Sequence, residues 1–212
     1  MDKNILRKYI PNNSVILDAG AFNGGDTNDF LNMFPECLVL AFEPVSELYK
    51  TLTNSITVHK ERVKTFNIAL DNSVGKKEMY ISSGYSNQSS SLMKPKEHLN
   101  MFPECKFEKK EIVNTTTINQ FCKDNNVDRI DFMWLDLQGN EFNVLNCADE
   151  ILHTTKAIFA EYSLVEFYEG LKKYDEFKEF MDSIGFYEAY NENVYNSIGC
   201  GNSLFVKKIK GD

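Results

Sequence analysis

Residues 15–27 read Val-Ile-Leu-Asp-Ala-Gly-Ala-Phe-Asn-Gly-Gly-Asp-Thr, and a second apolar run over 37–42 ends in Glu43-Pro44. The first run closes on Asp18, a glycine-rich turn follows, and polar residues suited to opening a helix come next. Such a turn lets backbone approach a ligand closely. An acid at the end of the following strand, Glu43, is suited to accept hydrogen bonds from a ribose diol. Together these features form the pattern of a nucleoside-cofactor pocket. Two more carboxylates stand at the ends of later apolar runs: Asp136 after 130–135, and Glu161 after 157–160. A carboxylate at such an edge can take a proton from an alcohol or hold an ammonium group. A neighbouring acid raises its pKa and makes it a better base.

These side chains need strands and helices to position them. Strands are expected over 14–18, 38–42, 63–70, 77–82, 107–116, 130–137, 157–160, 186–190 and 203–208. Helices are expected over 2–10, from Asp26 or Thr27 to 34, over 46–54, from a Thr117 cap to 125, over 141–152 and over 174–184. The near-continuous apolarity of 130–137 marks the middle of a parallel sheet covered on both faces. Residues 83–104 are irregular and rich in serine, and they read as a surface loop over a pocket. The loop 191–202 joins the two terminal strands as an antiparallel pair. The alternation of elements predicts an α/β fold, a doubly wound, mostly parallel, Rossmann-like sheet of seven strands with an antiparallel C-terminal strand. One domain is expected over 1–212, with a helical segment at 1–13.

Composition narrows the chemistry. The 212 residues carry a net charge of −8, with 42% hydrophobic and 25% charged residues. That balance disfavours a broad phosphate-backbone footprint. The basic cluster Lys106, Lys109 and Lys110 is interrupted by Glu104, Glu108 and Glu111. No nucleic-acid partner is therefore expected. The five cysteines are widely spaced, and the three histidines never pair at metal-ligand spacing, so free thiols and no metal site are expected. Residues 1–10 lack the apolar core of a signal peptide, and no apolar run approaches the roughly 20 residues that span a bilayer. A cytoplasmic protein without a membrane partner is the expectation.

Over roughly 14–208 the sequence resembles the FkbM family of methyltransferases. The resemblance is carried by Ile16-Leu17-Asp18-Ala19-Gly20-Ala21-Phe22-Asn23-Gly24, Ala41-Phe42-Glu43-Pro44, Asn67-Ile68-Ala69-Leu70, and Asp136-Leu137-Gln138-Gly139-Asn140-Glu141 followed by Val144-Leu145, in that order. A sheet ending in an antiparallel strand likewise resembles class I S-adenosylmethionine methyltransferases. The resemblance implies S-adenosylmethionine as cofactor and O-methylation of a sugar or other small-molecule hydroxyl. It implies a cofactor site of Asp18, Gly20, Ala21, Phe22, Asn23, Gly24, Thr27, Glu43, Pro44, Val45, Ala69, Leu70 and Asp136. Asp18 then faces the α-ammonium, Glu43 the ribose, and Ala69-Leu70 the adenine. Asp136 and Glu161 are the candidate catalytic pair, and Ser90, Gln138 and Tyr162 the candidate acceptor contacts. Gln138 stands where the family usually has Glu, which removes one carboxylate.

Other readings predict different residues. A nicotinamide-dependent oxidoreductase calls for Gly-x-Gly-x-x-Gly, whereas the turn here is Gly20-Ala21-Phe22-Asn23-Gly24-Gly25. An RNA 2′-O-methyltransferase with a Lys-Asp-Lys-Glu tetrad needs a Lys where Glu161 stands. An inactive binding module is compatible with Gln138.

Overall fold

The computed structural model describes residues 1–192 and 199–208. Part of the expected 191–202 loop and the last four residues of the expected 1–212 domain lie outside the described residues. In chain order the strands are β1 (Val15–Ala19), β2 (Leu38–Phe42), β3 (Val63–Phe66), β4 (Ala69–Leu70), β5 (Gly75–Gly84), β6 (Cys105–Thr116), β7 (Phe132–Leu135), β8 (Ala157–Ser163), β9 (Phe186–Glu192) and β10 (Cys200–Lys207). The helices are α1 (Gly25–Met33), α2 (Ser46–Ser55), α3 (Glu97–Met101), α4 (Ile118–Asn125), α5 (Glu141–Leu145), α6 (Asp149–Leu152) and α7 (Tyr174–Ser183), after a short 3-10 helix at Lys3–Lys8.

Seven strands form the main sheet in the order β3-β2-β1-β7-β8-β10-β9. β1 pairs in parallel with β2 and β7, and only β10 runs antiparallel to its neighbours β8 and β9. Alternate side chains serve opposite faces. Leu17, Leu40, Met133 and Ile158 enter one core, while Ile16, Val39, Phe132 and Phe159 enter the other. Because both faces are buried, the strands are apolar at nearly every position. The chain order reverses on either side of β1, so loops leaving the ends of β1 and β7 diverge and open a crevice at the carboxyl edge.

The expected strand over 63–70 is two strands in two sheets. β3 closes the main sheet, the chain turns at Asn67, and β4 joins a separate sheet of order β4-β6-β5. Asn67 makes that break by donating its side-chain amide to the carbonyls of Glu43 and Pro44, both at 2.9 Å. Apolar patterning cannot show it, because residues on both sides of the break are buried against something. The expected helix over 141–152 also divides. Cys147 and Ala148 donate backwards to Val144 and Leu145, tightening the chain into three-residue turns where Ala148 is fully buried.

α1 begins earlier than an Asp26 or Thr27 cap predicts. Gly24 caps it with φ +82°, and a Cβ there would lie 2.4 Å from Ser55 Oγ. Asp26 instead pairs with Lys3, and Thr27 is drawn to Asp18. The Thr117 cap is as expected, accepting from Gln120 N–H at 3.1 Å.

Asn67→Ala should destabilise the protein by about 1 kcal/mol, since it frees two carbonyls that water can partly reach. Urea denaturation measures this; an unchanged midpoint and slope would show that the break needs no side-chain support.

Candidate active site

The loops after β1, β2 and β7 meet at the carboxyl edge of the sheet around a cavity of about 250 Å³. Backbone geometry sets its floor. Gly20 and Ala21 both donate to the Phe42 carbonyl, so the turn after β1 folds across the end of β2. Gly20 has φ +85°, and a Cβ on it would sit 2.0 Å from the Asp136 carbonyl oxygen, so no other residue fits there. Asp136 N–H in turn donates to Ala19 at 2.9 Å, which pins the β7 turn against the β1 turn.

Glu43 is buried at the cavity wall and held at both oxygens. Phe22 N–H donates to Oε2 at 3.0 Å and Val45 N–H to Oε1 at 2.8 Å. Each carboxylate oxygen keeps a further lone pair for a ligand hydroxyl. Burial pushes its pKa up to about 7 against those backbone hydrogen bonds, with Asp136 and Asp18 adding to the rise.

Asp18 is fully buried and Thr27 Oγ1 donates to its Oδ2, while Oδ1 has no partner. Burial lifts this group too, to about 7. Neither Asp18 nor Thr27 lines the cavity. Their hydrogen bond instead joins β1 to α1, the two elements that flank the glycine turn.

Asp136 opens onto the cavity. Its Oδ1 accepts from Gln138 Nε2 at 2.7 Å, and the same amide nitrogen donates to Glu161 Oε2 at 3.1 Å. The structure thus brings Asp136 and Glu161 to one amide group. Their pKa values both rise. For Asp136 desolvation in the cleft is the main cause, and Gln138 opposes it. For Glu161 the rise comes from desolvation and then the charges of Asp136 and Glu141. Glu161 does not line the main cavity. With Gly139, Glu141 and Tyr162 it lines a small crevice behind Gln138.

Other expected residues divide cleanly. Gly20, Ala21, Phe22, Asn23, Pro44, Val45, Ala69, Leu70, Ser90 and Gln138 line the cavity. Gly24 does not, and acts as the helix cap. Tyr162 is also absent from its wall: the ring belongs to the core, 4.3 Å from Tyr174, and the hydroxyl donates to Asn191 at 2.9 Å. Glu141 acts as a first-turn acid of α5, accepting from Leu137 N–H at 2.7 Å. Sequence reasoning missed the apolar wall of Leu48, Ile68, Met79 and Leu92, and the amides of Asn87, Gln88 and Asn140. Met79 and Leu92 arrive from the second sheet and its loop, a tertiary approach with no local signal.

Asp18, Glu43, Asp136, Glu141 and Glu161 form no ion pair with a lysine or arginine among the described residues. A ligand fitting this site brings positive charge, hydroxyl donors and a flat apolar group. S-adenosylmethionine has all three, and the Gly20 cradle and the free lone pairs of Glu43 fit it. Fold and site together define a class I S-adenosylmethionine-dependent methyltransferase.

Comparison with known proteins narrows the class. The sequence model described as the methyltransferase FkbM domain matches residues 18–192, and the chain belongs to that family. It is 30% identical over 172 residues to the 2-O-methyltransferase NoeI of Sinorhizobium fredii, covering 79% of this chain and 69% of NoeI. The structure of methyltransferase FkbM from Methylobacillus flagellatus superposes with a TM-score of 0.57 at 12% identity, covering 93% of this chain. This chain spans 44% of that protein. TrmK of M. capricolum, solved with S-adenosylhomocysteine, shares the fold with a TM-score of 0.56 at 10% identity, over 98% of this chain and 67% of TrmK.

Asp18, Glu43 and Glu141 each hold protons near pH 7 that the unfolded chain gives up near its ordinary carboxylate pKa. Their stabilisation is present below the unfolded value and is lost as pH rises through the folded one. The melting temperature of ligand-free protein should therefore fall from about pH 5 to about pH 7 and level off above that. Glu43→Gln should flatten that slope. A melting temperature that rises over the same window would contradict the assigned ionisation.

Proposed function

We propose that this protein methylates a hydroxyl of a small molecule, with a sugar hydroxyl as the acceptor. The observation that carries this reading is Asp136, a carboxylate open to the cavity and hydrogen-bonded to an amide, with Asn87, Gln88 and Ser90 lining the same cavity. Amide and hydroxyl groups of this kind suit the many donors and acceptors of a polyol. The 2-O-methyltransferase name of the related NoeI supports an oxygen acceptor.

S-adenosylmethionine, when bound, supplies a methyl carbon on a positively charged sulfur, open to in-line attack. The chain's own residues do the rest. Glu43 receives the ribose hydroxyls, Gly20 and Ala21 leave room for the amino-acid end, and Pro44, Val45, Ala69 and Leu70 exclude water from the adenosine. Asp136 accepts the acceptor's hydroxyl proton as the oxygen becomes a nucleophile. An unassisted alcohol is a poor nucleophile, and a positioned base contributes roughly 10²–10⁴-fold.

Two substitutions test these roles, with a panel of sugars and sugar nucleotides assayed by isotopic methyl transfer. Glu43→Ala should weaken S-adenosylmethionine binding at least tenfold, because hydrogen bonds to a charged group are worth about 1.5–3 kcal/mol each. Unchanged affinity by calorimetry would remove Glu43 from the ribose. Asp136→Asn should retain the fold and lower the single-turnover rate at saturating cofactor by roughly 10²–10⁴-fold. Full recovery of that rate at high cofactor would make Asp136 an anchor for the ammonium group rather than a base.

A further inference from the structure

Gln138 occupies the junction of the carboxylate pair and the loop over the cavity. It has φ +51°, an uncommon conformation for a residue with a side chain, and its amide bridges Asp136 at the end of β7 and Glu161 in β8. Every polar atom of the residue beyond its own N–H is engaged. Nε2 gives its two hydrogens to Asp136 and Glu161. Oε1 lies 3.1 Å from the Tyr168 hydroxyl, which also lies 2.9 Å from the Ser89 carbonyl. The backbone carbonyl accepts from Ser91 Oγ at 2.8 Å. The opposite amide orientation would aim an oxygen at two carboxylates, so Tyr168 and the two acids agree on one arrangement.

We propose that Gln138 is a positioning residue that spends both amide hydrogens on the pair, holding Asp136 toward the cavity as the free base and leaving the pair's proton on Glu161. The inference deepens the methyl-transfer reading and rests on it for the role of Asp136. The groups around the pair are mostly acidic or neutral, namely Asp18 from β1, Glu43 after β2, Asp26 from α1, Glu141 from α5, Tyr168 after β8 and Cys200 from β10, while the two lysines nearby are paired with other acids, Lys172 of the Glu161 crevice with Glu176 and Lys3 with Asp26 and Asp29. Neither acid is ion-paired with a lysine or arginine among the described residues, and two carboxylates this close do not both ionise readily. Glu161 is the one set back from the cavity, between the charges of Asp136 and Glu141, which favour its protonated form against the hydrogen bonds it takes from Gln138 and the Cys200 thiol. Asp136 is the one open to the acceptor. The amide donates to both acids, but its hydrogen bond to Asp136 is the shorter, 2.7 Å against 3.1 Å to Glu161, which favours that division, whereas a third carboxylate would oppose it. Tyr168 joins the same amide to Ser89, so the loop that covers the acceptor and the base that serves it share one hydrogen-bonded unit.

The test is a carboxyl-carbon NMR titration of the intact protein, labelled at aspartate and glutamate. It reads the pair directly and needs no acceptor. In wild type, Asp136 should titrate below Glu161. Gln138→Asn keeps a residue type tolerant of positive φ but falls one methylene short, and it should move the Asp136 midpoint up by about one pH unit. Tyr168→Phe, which frees the amide without removing it, should shift the midpoint the same way by less. In kinetics, the ascending limb of the kcat profile should move upward with the Asp136 midpoint. A purely structural role would lower the rate equally at all pH. The proposal is overturned if folded Gln138→Asn, verified by circular dichroism, leaves both midpoints in place, or if Glu161 titrates below Asp136 in wild type. If the midpoints shift as described but no hydroxyl acceptor is ever methylated, the methyl-transfer reading fails and the positioning role stands.

Discussion

Several carboxylates gathered at one edge of a sheet, none of them ion-paired with a lysine or arginine among the described residues, are the constraint on which this site depends. Asp18, Glu43 and Asp136 come from the ends of three adjacent strands, and Glu141 and Glu161 stand just behind. Desolvation raises the pKa of every one of them, in the core for Asp18, Glu43 and Glu141 and in the cleft for Asp136 and Glu161. Groups kept in such a state store unfavourable free energy until a partner of opposite charge arrives. A sulfonium cofactor with an α-ammonium group supplies that charge, and its ribose supplies donors to Glu43. The acidity that makes the ligand-free site uncomfortable is what makes it selective.

The sheet brings these groups together through backbone rather than side-chain contacts. The Phe42 carbonyl takes two N–H groups of the glycine turn, Ala19 takes the Asp136 N–H, and Phe66 takes the Glu43 N–H. Each strand end therefore fixes the next. Gly20 is the tightest point, since any side chain there would collide with the Asp136 carbonyl. The second sheet contributes the far wall, and the 83–104 segment brings Gln88, Ser90 and Leu92 over the top.

Much of this was legible in the sequence because it depended on local pattern. The second strand runs over Leu38–Phe42 as its apolar run predicts, and the Thr117 cap and the antiparallel ending follow from short-range chemistry. The glycine turn and Glu43 could be read because close backbone approach demands glycine and a diol demands an acceptor. What escaped was set by distant contacts. The break at Asn67 depends on carbonyls 23 and 24 positions away in the chain. Thr27 reads as a cap, yet a buried carboxylate claims its hydroxyl. Tyr162 follows Glu161 in the chain, but strand alternation sends it to the opposite face, into the core. Gln138 was visible as a missing carboxylate, while its place as the amide between two acids needed the strand ends to be brought side by side.

The central claim is that the site is a set of part-protonated carboxylates awaiting a cation. Calorimetry of S-adenosylmethionine binding at about pH 7, repeated in buffers of different ionisation enthalpy, counts the protons exchanged on binding. The account predicts net proton release, because the incoming positive charge and the ribose donors favour the ionised acids. Binding with no proton exchange, or with net uptake, would contradict it.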